Sequence, residues 1–232
     1  MARPGTEVAV VTGAGRGIGR AVARRLAATH VVLAVARTAL ELAETADGLP
    51  GIHAKSLDIG TPDAAVRIAA AATAHGRLSV WINNAAMVEP RPFHQITDAE
   101  WRRVLAVNLD AVFACCREAT LRMRETGGGI IVNMASLSGV AGVEKFPGLA
   151  SYNVSKAGVI ALTEAVALEG REHGVRCVCL SPGAVDTQML ERAAPHLHAG
   201  MTPDDVATIV EFLVSDAAAP LSGTNIPINS NR

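Results

Sequence analysis

Short apolar runs ended by glycine, asparagine or serine recur along the chain, and between them the apolar positions change to a helical spacing. Residues 7–12, 31–36, 78–82, 130–134 and 175–180 are near-continuous stretches of Val, Ile, Leu, Ala and Cys, the pattern of strands buried on both faces. The run 52–57 is more polar, carrying His53, Lys55 and Ser56, and 224–228 reads as a last short strand. Helical patterns cover about 20–29, 62–75, 98–124, 150–173 and 203–213, with Asp98 and Thr202 as the expected N-caps. Strands alternate with helices, and the crossovers are long enough for parallel pairing. An α/β fold on a parallel sheet is predicted, as one domain over 1–232, without repeats, low-complexity tracts or linkers.

Composition narrows this picture. Half of the 232 residues are hydrophobic but only 3% are aromatic, so the core must be aliphatic and alanine-rich. The net charge is −1 with no long run of either sign, which calls for neither nucleic acid nor a membrane surface. Residues 1–5 lead directly into the first strand pattern without an apolar secretory segment, and no stretch is long enough to span a bilayer, so a soluble, cytoplasmic protein is expected. The cysteines stand as Cys115-Cys116 and Cys177-Val178-Cys179, spacings that suit core thiols better than a metal or redox pair. No His, Asp, Glu or Cys grouping has metal-ligand spacing, and no metal is expected.

Two stretches carry chemistry. After the first strand comes Gly13-Ala14-Gly15-Arg16-Gly17-Ile18-Gly19, then a helix. Glycines there let the backbone approach a pyrophosphate, and a helix N-terminus offers N–H groups to it. The second strand ends in Ala36-Arg37-Thr38, where NAD-binding folds usually place an acid for the ribose 2′-hydroxyl. Arg37 and Arg16 instead suit a 2′-phosphate, favouring NADP(H), with NAD(H) as the alternative. The second stretch is Tyr152-Asn153-Val154-Ser155-Lys156, which puts a phenol and an ammonium one turn apart on one helix face. A nearby cation favours the phenolate and makes a proton donor and acceptor that works near neutrality. Asn108, polar inside an apolar helical stretch, needs a partner, either backbone or a catalytic water.

Taken together, these motifs resemble the short-chain dehydrogenase/reductase family over nearly the whole chain. They are Thr12-Gly13-x-x-x-Gly17-Ile18-Gly19, Asp58, Asn83-Asn84-Ala85, Asn108, Ser136, Tyr152-x-x-x-Lys156, and Pro182-Gly183 with Thr187, in that order. The resemblance implies a Rossmann-type doubly wound sheet with helices on both faces. It implies that Tyr152 exchanges the proton with the substrate oxygen and that Lys156 lowers the Tyr152 pKa and holds the nicotinamide ribose. Ser136 would hydrogen-bond the carbonyl, with Ser138 as its competitor, and Asn108 would hold a water linking Lys156 to solvent. Asp58 would meet the adenine amino group and Asn84 the adenosine side. The backbone of Val185 and the hydroxyl of Thr187 would fix the nicotinamide and the phosphates. Ala86 departs from the family's glycine, the serine–tyrosine interval is slightly long, the segment 187–202 is short for a lid, and residues 229–232 lack paired glycines.

The activity implied is hydride transfer between NADP(H) and a small or medium, largely neutral ketone or secondary alcohol. Met87, Val88, Leu137, Val140, Val185 and Met189 are the expected pocket walls, and 137–150 and 187–202 the substrate loops. A 3-oxoacyl thioester reductase is the first alternative and a non-catalytic nucleotide-binding protein the second. Apolar positions Leu105, Leu109, Val112, Phe113 and Cys116, with Val159, Leu162, Val166 and Leu168, exceed one buried face per helix and predict a homo-oligomer, a tetramer or dimer.

Overall fold

The strand Glu7–Thr12 (β1) is buried from Val8 onward and lies inside a seven-stranded sheet in which every pairing is parallel. The computed structural model describes residues 6–143 and 145–229; Glu144 and the termini, for which a leaderless start and a glycine-poor tail are expected, lie outside the described residues. With Val31–Ala36 (β2), Ile52–Ser56 (β3), Arg77–Asn83 (β4), Gly129–Met134 (β5), Val175–Pro182 (β6) and Asn225–Ile228 (β7), the order is β3-β2-β1-β4-β5-β6-β7. The chain reverses direction across the sheet between β1 and β4, so a crevice opens there at the carboxyl ends of the strands.

Alternate residues of one strand feed two cores. Val8 and Val10 join a cluster with the helices Ala64–Thr73 (α3), Ala111–Arg124 (α5) and Ala150–Gly170 (α6). Ala9 and Val11 join a second cluster with Gly17–Leu26 (α1), Ala39–Ala46 (α2) and Pro203–Val214 (α8). Both faces are therefore covered, which is why the strand sequences lack polar alternation. All four cysteines are buried free thiols, and burial pushes Cys179 up to about 11. Among the described residues no helix is long and apolar enough to cross a membrane.

Several boundaries differ from the sequence expectation. The N-cap before Asp98 is Thr97, whose hydroxyl accepts from Glu100 N while the Glu100 carboxylate accepts from Thr97 N; the cap is set by the carboxylate three residues on. The predicted helix over 98–124 is two helices, Asp98–Leu105 (α4) and α5, joined by a π-helical turn at Ala106–Asp110. The first helix starts at Gly17, inside the glycine loop, and β6 continues to Pro182. Neither α2 nor the short helix Gln188–Ala193 (α7) is marked by sequence periodicity.

Candidate active site

Every strand that carries a motif delivers it to the same edge of the sheet. Gly13, Arg37, Asp58, Asn84, Ser136 and Gly183 each follow the carboxyl end of β1 to β6 in turn. The glycine loop is shaped for close approach. Gly13 has φ of 66°, and a Cβ on it would lie 2.8 Å from Ala85 Cα. A Cβ on Gly19 would collide with the Gly13 carbonyl and the Asn84 amide, while Gly17 faces the Thr187 methyl at 3.2 Å. Helix α1 begins there with no side-chain cap, leaving its first N–H groups available to an anion.

Asn84 braces this loop: its Nδ2 donates to Thr12 O (2.9 Å) and Gly13 O (3.3 Å), and its backbone N donates to Thr12 Oγ1. Thr12 Oγ1 in turn donates to Ile82 O, so this hydroxyl ties β1 to β4. Ile18 packs on the second core. Asp58 is exposed, with Oδ1 accepting from Gly60 N. Pro182 is buried at the end of β6, and Gly183 N bonds Ile228 O. Thr187 caps α7, its hydroxyl donating to Val185 O and accepting from Leu190 N. The two arginines are not brought together by any contact between them. Arg16 reaches Gln188 (2.7 Å) and the Glu41 carboxylate (3.4 Å), whereas Arg37 is exposed and has no ion pair among the described residues.

The proton-handling groups stand on β5 and α6. Lys156 is 3% exposed, and its ammonium donates to Met134 O at 2.7 Å and lies 5.7 Å from the Tyr152 ring centroid. Burial pushes Lys156 down to about 8, opposed by Cys179. Burial raises the Tyr152 pKa, and the Ser136 hydroxyl opposes the rise. Ser136 is the hydroxyl that acts on the Tyr152 phenol, and Ser138 N donates to Ser136 Oγ (3.1 Å), which orients it.

Asn108 sits fully buried in the π-helical turn, and its side chain finds backbone and hydroxyl partners. Its Oδ1 accepts from Met87 N (2.8 Å), and Nδ2 donates to Met87 O (2.9 Å) and Ser155 Oγ (3.1 Å). Both amide hydrogens are thus used. Ser155 Oγ donates to Tyr152 O, so a chain of bonds runs from the loop after β4 to the first turn of α6. A second chain holds α6 from behind: Trp81 Nε1 to Asn83 Oδ1, Asn83 Nδ2 to Asn133 Oδ1, and Asn133 Nδ2 to Thr163 Oγ1, all buried. Ser155 and Asn133 are functional supports that sequence motifs do not single out. Their only signal is polarity at positions whose spacing demands burial.

The family model for short chain dehydrogenases matches residues 7–197. Cis-4-hydroxycyclohexanecarboxylate dehydrogenase of Sinomonas cyclohexanicum is 33% identical over 96% of this chain and 94% of its own. A Beutenbergia cavernae structure, assigned as an NAD(P)-dependent gluconate 5-dehydrogenase and holding NADP at low occupancy, superposes with a TM-score of 0.85 at 34% identity, covering 99% and 97% of the two chains. The 3-ketoacyl-(acyl-carrier-protein) reductase of Brucella melitensis, complexed with NADH, gives a TM-score of 0.89 at 27% identity over 99% and 98%. The chain belongs to the short-chain dehydrogenase/reductase family and has its Rossmann-type fold. It is an NAD(P)-dependent oxidoreductase.

Proposed function

We propose that this enzyme interconverts a small ketone and its secondary alcohol, with Tyr152 moving the proton at the substrate oxygen and NADP(H) as preferred cofactor. The supporting observation is the buried Lys156 ammonium beside the Tyr152 ring, with Ser136 after the end of β5 and the uncapped α1 N-terminus at the same strand ends. A bound nicotinamide supplies the hydride. Everything else is positioning and electrostatics. The first N–H groups of α1, Gly13, Gly17, Gly19 and Thr187 would hold the pyrophosphate, Asp58 and Asn84 the adenosine side, and Val185 with the turn at Pro182-Gly183 the nicotinamide. The Ser136 hydroxyl donates to the carbonyl oxygen and stabilises the negative charge that develops there. The Tyr152 phenol donates the proton in reduction and takes it back in oxidation. Lys156 adds a positive charge beside the phenol once a ribose hydroxyl shares its donors. Asn108 acts as a positioning residue through Met87 and Ser155, and any water it holds is bound by its backbone.

Cofactor preference rests on Arg37, whose guanidinium has no carboxylate partner among the described residues, with Arg16 partly occupied by Glu41. Arg37→Ala is expected to weaken NADPH binding by about 10- to 100-fold and leave NADH unaffected, because only the former carries the phosphate. Equal affinity of the parent protein for both cofactors, read by fluorescence titration, would remove the phosphate assignment. A second reading, reduction of a 3-oxoacyl thioester, draws on the Brucella relative. Such enzymes tend to carry basic residues just before β5 and at the end of α6, where this chain has Gly127 and His173. Acetoacetyl-CoA in the substrate panel separates the two readings. A third, nucleotide binding without catalysis, would show as cofactor binding with no turnover.

We further take the whole chain as one dinucleotide-binding unit with substrate loops at 137–150 and 187–202. Its buried free thiols fit a reducing cytoplasm. Assembly is expected as a tetramer or dimer. Val112, Cys116 and Val159 face the core, and Leu162 and Val166 pack against it, but Phe113, Val154 and Leu168 are exposed on adjacent helices. Light scattering at micromolar concentration should give a multiple of the 24.0 kDa chain mass. A monomer mass that persists with cofactor would end this expectation.

A further inference from the structure

We propose that Lys145 selects substrates bearing a carboxylate remote from the reacting carbonyl, an inference that rests on the ketone/alcohol reading above. Lys145 is exposed, and its ammonium donates to the carbonyl oxygens of Leu137 (3.3 Å) and Val140 (2.5 Å). Those carbonyls belong to the 3-10 turn Leu137–Gly139 and the residue after it, immediately following Ser136. The turn is seated directly on α6: a Cβ on Gly139 would lie 2.6 Å from the Lys156 carbonyl carbon and 2.7 Å from Ala157 N. The same turn supplies Ser138 N to Ser136 Oγ. The ammonium is therefore tied to the segment that holds the Ser136 and Tyr152 hydroxyls.

The chain around Lys145 is also pinned to both neighbouring walls. The Phe146 ring stands edge-on to His196 of the 187–202 segment, with centroids 5.7 Å apart. Gly148 O accepts from Arg91 N (2.9 Å) in the loop after β4. A lysine so anchored loses less conformational freedom on meeting an anion than a free surface lysine.

Charge bookkeeping along the rim distinguishes Lys145 from its neighbours. Arg91 and Arg103 are neutralised by Glu100 and Glu89. Among the described residues Lys145 has no carboxylate within ion-pair distance, and its two bonds go to neutral carbonyls. Two of its three N–H donors are used. A substrate carboxylate supplies both the missing charge and the missing acceptor while the ketone oxygen meets Ser136 and Tyr152.

The test compares 6-oxoheptanoate and 4-oxocyclohexanecarboxylate with their methyl esters, using the parent protein and reduced cofactor. Expected is a kcat/KM for at least one acid about tenfold or more above its ester, carried by KM, the scale of one partly exposed charge-assisted contact. Lys145→Met should bring that ratio to about one by loss on the acid alone, and Lys145→Arg should retain most of it. Arg124→Met, which removes an exposed cation at the end of α5, should leave it unchanged. A ratio near one in the parent with good turnover of both would overturn the assignment. Equal losses on acid and ester in Lys145→Met, or equal effects in Lys145→Met and Arg124→Met, would overturn it as well. Turnover of none of the four compounds, nor of any other ketone, would remove the reductase reading and this inference with it.

Discussion

Tyr152→Phe is expected to lower kcat by about 10²- to 10⁴-fold, the range of a lost general acid–base group, while cofactor affinity and melting temperature stay close to the parent. The substitution removes one oxygen and keeps the ring that packs at the start of α6. The first turn remains held through Ser155 Oγ to Tyr152 O, a backbone contact that phenylalanine preserves. Reduction consumes the phenol's proton and oxidation needs the phenolate, so alcohol oxidation is expected to gain rate as pH rises and reduction to lose it. Both trends should vanish with the hydroxyl. Near-normal turnover of the variant would remove Tyr152 from the chemistry.

Lys156→Met is expected to cost turnover on a similar scale and to weaken cofactor binding as well, because the ammonium serves both the phenol and the ribose hydroxyls. It should not lower stability. Burial moves Lys156 from 10.5 to about 8, and at about 1.4 kcal/mol per pH unit that is a cost of roughly 3 kcal/mol for holding the charged form in the fold at neutral pH. The sign follows from the folded value lying below the unfolded one. Stability on this account is greatest above the unfolded value, declines as pH falls toward about 8, and is flat below it. Losing the bond to Met134 O returns about 1–3 kcal/mol of this. The variant without cofactor should therefore melt at or above the parent temperature at pH 7. A variant that is inactive, destabilised by several degrees and unchanged in cofactor affinity would assign Lys156 a structural role only.

The sheet was legible because its strands are buried on both faces. Runs such as Val8-Ala9-Val10-Val11 have no other stable placement in a chain of this length. The glycine loop was legible because its backbone must come close to Asn84 and Ala85, which excludes side chains. The π-helical turn at Ala106–Asp110 was not legible: one extra residue in a helix leaves the apolar spacing on either side nearly intact. Its purpose becomes visible only with Met87, twenty-one positions away, whose backbone fills the Asn108 amide. Thr97 and Asp98 are both capping types, and only the Glu100 carboxylate decides between them. The Tyr152–Lys156 spacing foretold a shared helix face, yet not that the ammonium would bond Met134 O. Lys145 carried no signal at all, since an isolated lysine in a loop is ordinary until its carbonyl partners are seen.

The most direct test of the central claim follows the absorbance of reduced nicotinamide with the parent protein, offering NADPH and NADH separately against a panel of ketones, oxo acids and acetoacetyl-CoA. The account predicts protein-dependent cofactor oxidation with at least one ketone or oxo acid, at least about a hundredfold slower in Tyr152→Phe at equal cofactor saturation. Cofactor bound by the parent with no carbonyl turned over, or turnover equal in the parent and in Tyr152→Phe, would contradict it.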